Sequence, residues 1–244
     1  MTPNLKSPVY IIGFAGVVSA VFTAAVMALH VATAGQVSRN EQAFRQRAIV
    51  ELFAEGLGVA DPAALPAAEA ASLVSAHARW RTLTDPETGA SVEVVTVYRD
   101  ALPAVGDAPQ DGATALGHAV SYSGVGFWAP IEGLLGLSPD FKTITGLVVL
   151  KQSETPGLGG RITEPEFRRK FKDLKATLPE EGRKAVYIGG GKPSGPQDPR
   201  SGRNVDAITG ATQTSLALER LLNASLARFH RAAAAAGLLA KDNG

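Results

Sequence analysis

No cysteine occurs among the 244 residues. Without thiols there is no disulfide, no thiolate zinc site, no cysteine-held iron–sulfur cluster and no cysteine nucleophile. Histidine is scarce: His30, His77, His118 and His230 are scattered. None has a second histidine three or four residues away, the spacing that sets two metal ligands on one helix face. An excess of one charge is also missing. Lys and Arg number 24 against 23 Asp and Glu, a net charge of +1, so no polyanion partner is implied. No cluster of basic residues reads as a nucleic-acid surface. Apolar residues are plentiful at 45%, enough for the core of one ordinary domain with an appendage, or of two small domains.

The long hydrophobic run lies at the start. Residues 9–34, VYIIGFAGVVSAVFTAAVMALHVATA, contain no Asp, Glu, Lys or Arg in 26 positions. A helix rises ~1.5 Å per residue and a bilayer core is ~30 Å thick, so roughly 20 residues span it. A buried core helix and a cleaved signal peptide are the rival readings. Ala32-Thr33-Ala34 has the small-x-small look of a cleavage site, but the run exceeds the roughly 7–15 residues of a signal core. The expectation is a retained single-pass anchor, residues 1–34, and a domain over 35–244. Lys6 flanks one end of the run; Arg39, Arg45 and Arg47, with Glu41, flank the other. Read literally, the positive-inside rule puts the large domain in the cytoplasm, though the rule weakens before a long folded domain.

Beyond the anchor the pattern predicts an α+β fold with a mainly antiparallel sheet and flanking helices. Helical periodicity covers residues 41–57, with Gly56 and Gly58 as stops, and residues 65–80. DPETG (85–89) is a turn, and SVEVVTVY (91–98) is a strand by its β-branched content. Residues 102–114 read as a loop. Strands are expected over 116–122, 127–137 and 143–150, the last two joined as a hairpin by SPDF. A short basic helix follows at 165–174 with Phe167 and Phe171 on one side. Residues 185–188 read as a short strand and 189–202 as a Gly/Pro loop. A terminal helix over 212–236 carries a stripe of Leu218, Leu222, Ser225 and Phe229, with Leu221 beside it. Residues 35–115 form the N-terminal part of this domain and 116–244 its core.

Two glycine-rich stretches do not carry nucleotide chemistry. GGGKPSG (189–195) lacks the phosphate-loop spacing, because Pro193 follows Lys192. GLGG (157–160) lacks the third glycine and the following helix of a dinucleotide fingerprint. The stretch DAITGATQTS (206–215) is different. It places Thr209, Thr212, Thr214 and Ser215 at the mouth of a helix, where unpaired N–H groups and a partial positive charge stabilise a phosphate. An ordinary helix cap explains one of these hydroxyls. An alternative is a threonine esterified to a phosphate group, with Gly210 and Ala211 leaving room for the approach. Asp206 would supply a carboxylate for a metal ion during the transfer.

DAITGATQTS resembles the flavinylation motif of the covalent-FMN proteins: Asp, two variable residues, Ser or Thr, then Gly-Ala-Thr. The resemblance implies that a flavin transferase joins FMN through its phosphate to Thr212. Asp206 is then the motif aspartate, Thr209 the Ser/Thr position, and Gly210 and Ala211 the spacer. ETPGLGG (154–160) resembles a loop found in the C component of the sodium-translocating NADH:quinone reductase and in the G component of the Rnf ion-translocating complex. GLGG and FKTITGLVVL lean towards the first, APIEGLLGL and DAITGAT towards the second. The likeness covers most of the chain, most closely from about Gly124 onward.

The resemblance implies a redox subunit of a multi-subunit membrane complex. Its domain would lie on the extracytoplasmic side of the bacterial inner membrane, against the literal charge count, and the flavin would be an electron carrier. Glu154, Thr155, Pro156, Gly157, Leu158 and Gly159 are expected beside the flavin ring. Pro156 would stiffen the loop, Gly157 and Gly159 would allow close backbone approach, and Leu158 would offer an apolar surface. Glu154 is either a hydrogen-bond acceptor at the site or a surface carboxylate ending a strand. Trp128 either stacks on the flavin or fills the core. Thr214 and Ser215 are expected to cap the helix and donate to the phosphate. No metal site is expected, and no nucleophile–base pair is present for independent catalysis. The reading from another class is a membrane-anchored extracytoplasmic interaction module without flavin.

Overall fold

The computed structural model describes residues 7–102, 113–178 and 183–239. The chain divides into two compact units, Met1–Ala43 and Phe44–Gly244. In the first unit the described residues are almost entirely helical. They belong to α1 (Pro8–Leu52), 45 residues long, which runs on into the second unit. An 18-residue window of α1 has a mean hydropathy of 2.2 and none of it is buried, so the helix is long and apolar enough to cross a membrane. α1 takes in both the expected anchor and most of the helix expected over 41–57. Gly35 and the polar residues after it are accommodated within one helix, because helical backbone bonds are satisfied locally whatever the side chains. A single turn, α2 (Ala54–Leu57), follows, and Gly58 ends it in the left-handed conformation at φ 72°. Gly58 is thus the stop, while Gly56 lies inside the turn.

The second unit is built on a five-stranded antiparallel meander, in which each strand pairs with its neighbour in sequence. The strands are β1 (Ala78–Thr84), β2 (Ser91–Tyr98), β3 (Ala115–Val125), β4 (Pro130–Leu137) and β5 (Ile144–Lys151). β2 has the bounds read from the sequence, and β4 and β5 form the expected hairpin. β1 begins where the sequence predicts the end of a helix. Helix α3 stops at His77 (Ala67–His77), and Ala78 begins the strand. Most of the loop expected over 102–114 lies outside the described residues.

Both faces of the sheet are covered. On one, Val92, Val94, Val120, Ile131, Leu135 and Leu147 pack with Phe167, Phe171 and the long helix α5 (Thr212–Ala235) through Leu218, Leu222 and Phe229. On the other, Val95, Val97, Ala119, Leu134 and Val148 pack with Ile49, Val50 and Phe53, and with Ala70 and Val74 of α3. This explains the apolar runs within β4 and β5: with both faces covered, residues 133–137 and 147–149 are buried in succession. Tyr122 crosses the sheet to donate its hydroxyl to the Val148 carbonyl at 3.1 Å. It passes over Gly133, where a Cβ would lie 2.3 Å from the phenol oxygen.

After β5 a 3-10 turn (Gly159–Thr163) leads into α4 (Pro165–Arg169), shorter than the helix expected over 165–174. Phe167 and Phe171 are both buried, with ring centroids 5.4 Å apart. A small parallel pair, β6 (Tyr187–Ile188) and β7 (Asn204–Val205), brackets the Gly/Pro loop. α5 holds β6 in place. Asn223 Oδ1 accepts the N–H groups of Ala185 and Val186, and Glu219 Oε2 accepts that of Ile188 at 2.7 Å.

Candidate functional site

The segment before α5 is a tight turn. The Ala211 N–H donates to the Ile208 carbonyl at 3.0 Å. Its third residue, Gly210, has φ 81°, which favours glycine. α5 then begins at Thr212, with Ala211 as the N-cap residue and no side-chain cap. Its first described backbone bond runs from the Ser215 N–H to the Ala211 carbonyl at 3.0 Å. The N–H groups of Thr212, Gln213 and Thr214 come before that bond and have no partner within the helix. The Thr212 side chain is exposed at this first position.

Neither Thr214 nor Ser215 caps the helix, contrary to expectation. Both are buried and their hydroxyls are engaged elsewhere. Ser215 Oγ accepts the Ile208 N–H at 3.2 Å, which fastens the turn to the helix. Thr214 Oγ1 donates to Glu154 Oε2 at 2.8 Å. Glu154 is therefore no surface carboxylate: it is 4% exposed. Its other oxygen, Oε1, accepts the N–H groups of Phe127 at 2.8 Å and Trp128 at 3.1 Å. The carboxylate thus joins the tip of the β3–β4 hairpin to the head of α5.

The loop after Glu154 is a second tight turn. The Leu158 N–H donates to the Thr155 carbonyl at 3.1 Å, with Pro156 second and Gly157 third at φ 74°. This is the Pro-Gly signature of a type II turn. Beside Gly157 nothing lies within 4 Å of where its Cβ would be, so the space there is open. At Gly159 the protein itself comes close: a Cβ there would fall 2.4 Å from Thr214 Oγ1. The two turns meet: a Cβ on Gly210 would lie 3.2 Å from Leu158 Cδ2.

Between these parts is a cavity of about 380 Å³, lined by Phe127, Trp128, Thr155, Leu158, Gly159, Gly210, Ala211, Thr212, Gln213 and Thr214. It gathers most of the residues expected from sequence: Trp128, Thr155, Leu158, Gly159, Gly210, Ala211, Thr212 and Thr214. Glu154 and Ser215 lie behind its wall, bonded to residues around it. Pro156, Gly157, Thr209 and Asp206 are exposed and outside the lining. Trp128 does not fill the core, because it is 68% exposed. Sequence reasoning missed Phe127 and Gln213. It also missed Gly126, where a Cβ would lie 2.6 Å from Glu154 Oε1. The signal for both Gly126 and Phe127 was GFW, two aromatics after a glycine at a hairpin tip. No group of three or more His, Asp or Glu suited to a metal ion occurs among the described residues.

Two motifs some 50 residues apart in sequence are thus brought to one cavity at a helix N-terminus. Residues 126–227 match the FMN-binding domain family. The matched segment begins at the glycine beside Glu154 and ends within α5, so it contains every residue lining the cavity.

Relatives agree. The G component of the ion-translocating oxidoreductase complex of Methanosarcina acetivorans is 34% identical over 147 residues, 58% of this chain and 65% of that protein. The C component of the Na+-translocating NADH-quinone reductase of Neisseria meningitidis is 37% identical over 92 residues, 38% of this chain and 33% of that protein. The chain spans less than two thirds of the length of either relative. The crystal structure of the C component of the Na+-translocating NADH-quinone reductase from Parabacteroides distasonis has the same fold. Its TM-score is 0.59 at 22% identity, over 85% of this chain and 96% of that one.

Proposed function

We propose that this chain is an FMN-carrying electron-transfer subunit of a membrane ion-translocating oxidoreductase complex, with FMN joined through its phosphate to Thr212. The observation that carries the reading is the cavity at the head of α5, with an exposed threonine hydroxyl at the first helical position. The residues there suit FMN. The free N–H groups of Thr212, Gln213 and Thr214 and the helix dipole favour a phosphate. Phe127, Trp128 and Leu158 give apolar surface to a flat ring, and about 380 Å³ is in the usual range of small-molecule sites. When bound, FMN supplies the electron chemistry, and the protein supplies position and potential. Thr209 and Asp206, both exposed, present the turn to a flavin transferase.

The names of the relatives support membership of a quinone-reductase-like or Rnf-like complex, with other membrane subunits as partners. α1 supports a single-pass anchor, residues 1–34, with residues 35–244 as the flavin domain. The extracytoplasmic side of the bacterial inner membrane follows from the resemblance.

The test is peptide mass spectrometry after co-expression with a flavin transferase. A flavin adduct on Thr212, lost in Thr212→Ala, is the expected result. An adduct on Thr209, Thr214 or Ser215 of the unmutated chain, or full loading of Thr212→Ala, refutes the assignment. Absence of flavin fluorescence in a denaturing gel of the loaded preparation favours the interaction module instead.

A further inference from the structure

The tip of the β3–β4 hairpin presents two large aromatic side chains that are mostly in water. Phe127 is 51% and Trp128 68% exposed, and they pack edge to face on each other at 4.9 Å. Side chains so exposed bury too little surface to hold a loop in place. The hairpin itself closes the tip with one bond, from the Gly126 N–H to the Ala129 carbonyl at 3.0 Å. What remains is Glu154, which takes both aromatic residues by their backbone N–H groups and Thr214 by its hydroxyl.

Several features mark this carboxylate as built for that place. It is buried, and among the described residues no Lys or Arg pairs with it. A buried carboxylate without a cation is costly unless donors fill its lone pairs. Three donors do so here. Room for it comes from two glycines on different segments, since a Cβ at Gly126 or Gly159 would meet its oxygens at 2.6 or 3.0 Å. Phe127, Trp128 and Thr214 all line the cavity, so the charge stands directly behind the cavity wall.

We infer that Glu154 is the positioning residue of the cavity: its buried carboxylate fixes the aromatic tip against the head of α5, and its charge disfavours further negative charge between them. The second half of the inference rests on the proposed flavin site; the first half does not. A neutral glutamine is the informative substitution. Its carbonyl oxygen still accepts the two N–H groups and its amide donates to Thr214, so it keeps the tie and removes the charge. Alanine removes both.

The experiment uses the full chain in detergent, with and without attached flavin, and the variants Glu154→Ala and Glu154→Gln. Amide hydrogen exchange at Phe127 and Trp128 in the flavin-free chain reads the tie. In Glu154→Ala it is expected to quicken at least tenfold, the scale of a lost charged hydrogen bond. In Glu154→Gln it stays within about threefold of the parent. Unchanged exchange in Glu154→Ala overturns the inference. Should that variant fail to fold, Glu154→Asp, whose carboxylate is one methylene short of spanning from the tip to Thr214, is read in its place, and unchanged exchange there overturns it equally. The midpoint potential of attached flavin reads the charge. It is expected to rise in Glu154→Gln, because an added electron no longer meets a buried anion; an unchanged or lower potential overturns that half. If the parent chain carries no flavin on Thr212, the proposed function fails while the exchange measurement still decides the tie.

Discussion

Gly157 and Gly159 stand two positions apart and are glycine for different reasons. Gly157 has a positive φ and open space, so Gly157→Ala carries only backbone strain, on the order of 1–2 kcal/mol. Gly159→Ala drives a methyl group into Thr214 Oγ1 and the Glu154 carboxylate. Overpacking of this kind costs about 1–3 kcal/mol, and here it also breaks a buried charged hydrogen bond. Urea titration of both variants is expected to show the larger loss for Gly159→Ala; the reverse order would mean that the carboxylate is not held there. His118, which is buried, and His230, which is half-buried, give a pH signature. Burial lowers the pKa of His118 and of His230 below the usual value, against the weaker raising effect of their bonds to the Pro139 and Ala176 carbonyls. The unfolded chain then takes up protons at a higher pH than the folded one, from about 6.5 downward. Stability is therefore full above that pH and falls as the pH drops through it. Thermal melts from pH 8 to 5 check the sign, and replacing both histidines with Gln is expected to flatten the trend. The hydroxyls at 209, 212, 214 and 215 were legible as a cluster, but their separate duties were not. A cap and a buried donor call for the same residue types, and only the path of Glu154, 60 residues away, decides which is which.

Among the elements, α5 is bound to more of the domain than its apolar stripe implied. Near its far end Arg231 grips Asp85, in the turn between β1 and β2, with Nε at 2.9 Å and Nη2 at 2.6 Å. This guanidinium, with help from Thr88 and the Glu87 N–H, holds the Asp85 carboxyl far below the ordinary range against the opposing effect of burial. The linkage has a definite sign. A depressed carboxylate adds stability above the unfolded value near pH 4, and the contribution disappears as the pH falls through that value towards the folded one. Asp85→Asn is expected to lower the melting temperature more at pH 7 than at pH 2, where the contribution has partly gone; an equal loss at both would assign the effect to packing. The elements that escaped the sequence reading share one cause. β1 buries only Ala78 and Leu83, while Arg79 is half-buried and Trp80, Arg81, Thr82 and Thr84 are exposed, so no alternation separated it from the alanine-rich helix before it. β7 has two residues, too few for any period. β2, which buries Val92, Val94, Val95, Val97 and Tyr98, was plain.

At the scale of the molecule, a sheet buried on both faces needs two covers. The sequence pointed clearly to α5; the other cover comes from the end of α1, Phe53 and α3, of which the sequence showed the helices but not the face they pack on. Ile49, Val50 and Phe53 belong to the core although the helix that carries the first two begins as an apolar span. Removing residues 1–34 is expected to leave a soluble domain that folds. Removing residues 1–52 takes away Ile49 and Val50, about 1.5–3 kcal/mol each, from a total stability on the order of 5–15 kcal/mol. Circular dichroism of the two truncations checks this; aggregation of the shorter deletion would put the apolar span in the core. The meander has a further consequence, in time rather than space. Each strand of the sheet finds its partner across a local connection, and such closures are fast. The contacts that fasten α5 are long-range: at the cavity Thr214 reaches back 60 residues to Glu154, and at the other end of the helix Arg231 reaches back 146 to Asp85. Loop closure makes these the late events of folding. Thr212 thus acquires its surroundings only after the sheet is in place, so under the proposed function a transferase that reads that setting acts on a finished domain, not on a nascent peptide.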